Sequence, residues 1–71
     1  MVEEVRAELV ANIHKVTVAV GEVVEPGATI VILESMKMEI PVLCEHPGTV
    51  TAVHVQEGDV VQEGDVIAEI G

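Results

Sequence analysis

The chain has 71 residues, 13 acidic against 3 basic side chains, a formal charge of −10 and no Phe, Tyr or Trp. That length allows one domain near the lower limit of a self-sustaining core, and 49% hydrophobic residues are too many for a disordered acidic tail. The charge argues against nucleic acid and against anionic membranes, both of which recruit Lys and Arg. Without aromatic rings the chain also lacks platforms for stacking single-stranded bases. No apolar run is long enough to span a bilayer, and Met1-Val2-Glu3-Glu4 opens acidic where a secretory signal would be basic. Cys44 is the one cysteine and cannot form an internal disulfide. The expectation is a soluble, cytoplasmic monomer kept apart from its copies by charge.

Sixteen valines and six isoleucines favour strands, because β-branched side chains fit a pleated surface and are restricted in helices. Ile13 to Val20 alternates with Val16, Val18 and Val20 on one face, which predicts a half-buried strand. Gly21, Pro26 and Gly27 punctuate the chain before a more continuous apolar strand at Thr29–Leu33. Met38 to Leu43 is a further apolar run whose Pro41 cannot donate to a ladder, so an edge strand or a bend is expected. His46-Pro47-Gly48 predicts a turn, and Thr49 to Val55 alternates again. Gly58 and Gly64 bracket a short segment, and Val66 to Ile70 completes the series. No window predicts an amphipathic helix, and no linker divides the chain, so residues 1–71 form a single domain.

Residues 10–33 and 47–70, offset by 37, share seven identities in 24 positions. They include Gly21/Gly58 and Gly27/Gly64, each glycine pair enclosing two valines, a pattern of two tight turns around a very short strand. A solenoid needs three or more copies. Two copies predict a pair of similar sheets facing each other about a pseudo-twofold, an all-β sandwich or flattened barrel.

Residues 34–46 stand between the copies as an insert. Within it Met36-Lys37 separates two strand patterns at the spacing of a hairpin with a two-residue tip. Neither residue is the Gly or Asn that such a turn prefers, and a local rule broken at an exposed point indicates a functional constraint. Lys37, one of only two lysines with Lys15, is either a solvated charge balancing Glu34 and Glu39 or a functional amine between two methionines able to contact a partner. Elsewhere the chemistry is sparse. Cys44-Glu45-His46 offers three metal-ligand types, but adjacent positions rarely converge on one ion, so no metal is expected. His14 and His54 read as solvent-facing strand residues, and nothing resembles a nucleophilic triad or a phosphate loop.

Glu34-Ser35-Met36-Lys37-Met38-Glu39 resembles the Glu-Ala-Met-Lys-Met-Glu box of biotinyl domains, the biotin carboxyl carrier family. The resemblance covers nearly the whole chain, since Gly21/Gly27, Gly48-Thr49-Val50 and Gly58/Gly64 fall in the same register. It implies a barrel-sandwich hybrid of two four-stranded sheets, without a protruding thumb because nothing interrupts Val16 to Ile30. It also implies biotin in amide linkage on Lys37, Met36 and Met38 as flanking recognition residues, and Glu34 as a contact of biotin protein ligase. The domain itself would catalyse nothing. Its biotin would carry carboxylate from a biotin carboxylase to a carboxyltransferase. Related lipoyl domains usually have Asp-Lys-Ala here, which makes a lipoyl or dual biotin/lipoyl carrier the alternative. Ser35 replaces the commoner Ala, and Ala11 to His14 stands where many members have Pro-Gly, so the first turn is expected to differ. The sequence is similar to small free-standing attachment proteins, with a piece of a larger carboxylase subunit as the alternative.

Overall fold

The structure, a computed structural model, describes residues 2–71. Among these residues all regular structure is β: β1 (Glu3–Arg6), β2 (Ala11–Val16), β3 (Val23–Val24), β4 (Thr29–Ser35), β5 (Met38–Leu43), β6 (Gly48–Val53), β7 (Val60–Val61) and β8 (Val66–Ile70). They make two antiparallel four-stranded sheets, ordered β1-β8-β6-β3 and β5-β4-β2-β7. The molecule measures 33 × 17 × 17 Å. A cross-section that narrow holds two sheets at the usual separation of about 10 Å with one layer of side chains between them. Ile13, Ile30, Val31, Leu33, Val50, Ile67 and Ile70 fill that layer and are almost wholly removed from solvent. Aliphatic residues suffice for such a gap, and this accounts for the missing rings.

The 37-residue repeat is realised bond for bond. The Ile13 N–H donates to Asp59 C=O (2.7 Å), as the Val50 N–H donates to Glu22 C=O (2.9 Å). Likewise Gly58 N–H meets Ile13 C=O and Gly21 N–H meets Val50 C=O. These bonds extend the β2–β7 and β6–β3 ladders within each sheet, so each half of the sequence lends its short strand to the sheet of the other. The turns enclosing β3 and β7 require glycine at Gly21, Gly27, Gly58 and Gly64, where φ lies between 89° and 95°, the region open to residues without a Cβ.

Three expectations are revised. The insert at residues 34–46 is largely not an insert, because β5 occupies in its sheet the place of β1 in the other. Ala7 and Cys44, 37 apart, make matching bonds: Ala7 N–H to Asp65 C=O (2.9 Å) and Cys44 N–H to Ala28 C=O (3.0 Å). Only the β4–β5 connection lies outside the symmetry. The strand expected over Ile13–Val20 is β2, which ends at Val16. Its buried residues are Ala11 and Ile13, and Val20 is exposed. The reason is a β-bulge, since the register with β4 passes from Ile13↔Leu33 to Lys15↔Ile32 and leaves His14 as the extra residue, which reverses the facing of everything after it. Similarly β6 stops at Val53, short of the expected Val55. Pro41 does lie on an edge strand, at the margin of its sheet.

The fold also fixes where the β4–β5 connection points. β5 runs from Met38 to Leu43, about 20 Å at strand rise. Beyond its far end the Glu45 and His46 N–H groups donate to the Glu3 carboxylate (3.2 and 3.1 Å). Glu3 in turn is paired with Ile70. Both ends of the described chain therefore meet at the end remote from the β4–β5 tip.

Candidate functional site

The ladder between β4 and β5 continues through Glu34↔Glu39 to Ser35↔Met38, leaving Met36 and Lys37 as the two-residue tip. Both are left-handed, with φ of 53° and 64°. Two left-handed central residues make a turn of type I′, whose twist matches the flanking strands and whose usual occupants are Asn and Gly. An L-residue with a Cβ is held there at a cost of about 1–2 kcal/mol, so the tip is locally unfavourable and is enforced by the ladder below it.

The left-handed turn throws its side chains outward. Met36 is 91% exposed and Met38 62%, and Lys37 is exposed between them. Nothing anchors the amine: among the described residues no carboxylate lies within ion-pair distance of Lys37. The other lysine differs in placement. Lys15 lies within the β2–β4 ladder opposite Ile32, so its amine rises from a sheet face and not from an apex.

The structure thus brings Glu34, Met36, Lys37 and Met38 onto one hairpin. Glu34 is exposed and directly opposite Glu39. Sequence reasoning passed over a fifth member. His14 on β2 lies between both acids, with Nδ1 3.8 Å from Glu34 Oε2 and Nε2 3.7 Å from Glu39 Oε2. It does lie on a solvent face, as the alternation suggests, but the signal for its position is the bulge, which depends on register and is invisible to a periodicity count. His54 lies in the second half of the repeat, with its Nε2 2.6 Å from Glu69 Oε2.

Cys44, Glu45 and His46 do not converge. The Cys44 side chain is buried and its Sγ–H donates to Glu25 C=O (2.8 Å), while Glu45 and His46 are exposed. The site is an exposed amine, with no enclosing pocket and no charged neighbour gripping it among the described residues. A single projecting lysine on a rigid stem suits covalent attachment of a group that must be handed to other proteins.

The family model described as "Biotin-requiring enzyme" matches residues 3–70. The chain belongs to this biotin/lipoyl family. It is 53% identical to the biotinylated protein TB7.3 homolog of Mycobacterium leprae over 70 residues, 99% of either chain. It is 46% identical to the biotin/lipoyl attachment protein of Bacillus subtilis over 66 residues, 93% of this chain and 90% of that protein. Among solved structures it superposes on the urea carboxylase of Kluyveromyces lactis with a TM-score of 0.94 at 34% identity. That match covers all of this chain and 6% of the carboxylase. The biotin/lipoyl family therefore includes both short chains and small parts of very large ones, and the two-sheet sandwich is common to them. No helix is long and apolar enough to cross a membrane among the described residues.

Proposed function

We propose that the chain is a biotin carboxyl carrier, a single unit over residues 1–71 whose Lys37 bears biotin. The observation that carries this reading is Lys37 at the apex of an enforced left-handed turn, unpaired and flanked by two exposed methionines. Family membership and a relative named as biotinylated support it. Met36 and Met38 are soft, adaptable surfaces for the proteins that must recognise the lysine. Glu34, one residue below the tip ladder, is the polar contact for the ligase.

The residues fit the group. A lysine amine is almost wholly protonated at neutral pH, so acylation needs a carboxyl group activated elsewhere. Biotin protein ligase supplies it: Lys37 Nζ, after losing a proton, bonds to the activated carbonyl carbon of biotin and adenylate leaves. Once attached, biotin supplies the capacity to carry a carboxyl group between a biotin carboxylase and a carboxyltransferase. The chain's own work is to hold the attachment point on a stem that keeps the arm clear of the sheets. It performs none of the carboxylation steps. Lipoyl attachment is disfavoured by the same two methionines, which stand where lipoyl domains usually carry Asp and Ala.

The test is intact mass after incubation with biotin protein ligase, ATP and biotin. A single biotinyl adduct, mapped to Lys37 and absent in Lys37→Arg, is expected. An unchanged mass, an adduct that persists in Lys37→Arg, or lipoyl transfer by a lipoate ligase with equal efficiency overturns the reading.

A further inference from the structure

The two halves share a bulge at the same place and use it differently. In the second half the register passes from Val50↔Ile70 to Ala52↔Glu69, so the extra residue is Thr51, 37 positions after His14. Thr51 spends its hydroxyl on the Glu69 C=O (3.2 Å), a bond within its own ladder. In the first half the bulge turns His14 outward, beside the root of the Lys37 hairpin. There one ring faces two strands: Nδ1 towards Glu34 on β4 and Nε2 towards Glu39 on β5.

Those two carboxylates need it. Glu34 and Glu39 are directly opposite on one face of the ladder, an arrangement in which like charges weaken strand pairing. They occupy the rung immediately below Ser35↔Met38, the pair that closes the left-handed tip. At 3.8 and 3.7 Å the ring is within ion-pair reach of both acids and short of a hydrogen bond to either, so what it offers them is charge. The charged groups facing His14 are Glu34 from β4 and Glu39 from β5. Lys15 comes next to it on β2, and the paired strand β7 contributes the uncharged Val60 and Val61.

We infer that His14 is a positioning residue for the modification of Lys37: its imidazole ties β4 to β5 across the Glu34–Glu39 repulsion and so holds the tip in the shape that the ligase reads. This rests on the assignment of Lys37 as the biotin site. His14 touches neither the amine nor the carboxyl group added to it. Its effect is that of an exposed charge pair, a factor of about two to five.

The experiment compares wild type, His14→Gln and His14→Arg. Two quantities are read: ligase KM and kcat for the apo protein, and amide exchange protection of Ser35 and Met38. Relative to His14→Arg, the permanently cationic variant, His14→Gln should show a KM about two- to five-fold higher at unchanged kcat, and tip protection lower by a similar factor. Wild type should lie between the two variants. Protection at Thr49 and Gly71, the pair in the other half that corresponds to Asn12 and Glu34, should not change. The inference is overturned if the three proteins are alike, if Arg and Gln are equally impaired, or if protection changes without KM. Failure of wild type to be modified at all would instead refute the biotin assignment, and the exchange data would still report on His14.

Discussion

Replacing Met36 with glycine should move stability and modification in opposite directions. Met36 sits at φ 53° and is 91% exposed, so removing its side chain uncovers almost no core. The left-handed backbone costs an ordinary residue about 1–2 kcal/mol. Glycine escapes that cost but loses about 0.5–1 kcal/mol more conformational freedom on folding. The balance is a gain of about 0.5–1 kcal/mol, and for a domain of this size each kcal/mol moves the melting temperature by about 4–8 °C. Met36→Gly should therefore melt roughly 2–8 °C higher in thermal denaturation followed by circular dichroism. Met36→Asn should move the same way, because Asn tolerates the left-handed region better than Met. Both should be poorer ligase substrates, with kcat/KM lowered through the lost contact. A melting temperature that falls or stays put would refute the strain. Undiminished ligation would refute the assignment of Met36 to recognition.

Two further substitutions test the packing at the two ends of the body. A Cβ on Gly48 would lie 2.8 Å from Ile70 Cγ2 and 3.0 Å from the Gly71 carbonyl oxygen, so Gly48→Ala should cost about 1–3 kcal/mol by overpacking, measured by urea denaturation. Leu33 is fully buried under the hairpin, and Leu33→Ala should cost about 2–5 kcal/mol while lowering ligation by the fraction of chain unfolded. Equal ligation by folded Leu33→Ala and wild type is expected, and a specific loss at full folding would place Leu33 in recognition.

Much of this architecture was legible because its signals are local. Glycines spaced six apart around Val-Val report the turns directly, since positive φ restricts the choice of residue at those positions. Pro41 reports an edge because it cannot donate. The Met36-Lys37 tip emerges from the length between two apolar runs. What escaped depends on register. β1 was not foreseen, because Glu3, Glu4 and Arg6 surround its single buried residue, Val5, and its partner β8 lies at the opposite end of the sequence. A weak signal existed: extending the 37-residue comparison backwards adds Val5/Val42 and Glu8/Glu45, the trace of the β1–β5 equivalence. The bulges at His14 and Thr51 left none, because an unpaired residue looks like any other in the alternation; Val16 and Val18 face inward as the alternation indicates, whereas Ile13 before the bulge also faces inward and Val20 is exposed. The Glu34–Glu39 hairpin was legible as a unit, and the histidine beside it was not.

The symmetry also explains why one lysine is presented and the other is not. Each half runs through a short strand, two glycine turns and a long strand, and the halves differ only after that long strand. The first long strand passes Glu34 and closes on β5 through the tip. The second stops at Gly71, whose N–H and C=O both pair with Thr49 in the position that Glu34 takes against Asn12. The pseudo-twofold thus exchanges the Lys37 apex with the place where the two ends of the chain meet. Any chain continuing from either end of the described residues leaves from the end remote from the amine. A carrier must be held at one point and presented at another, and a doubled half-barrel joined by a single hairpin meets both needs. The same geometry suits a short chain and a small part of a long one. Lys15, set within the β2–β4 ladder, rises from the side of that body and has no such reach.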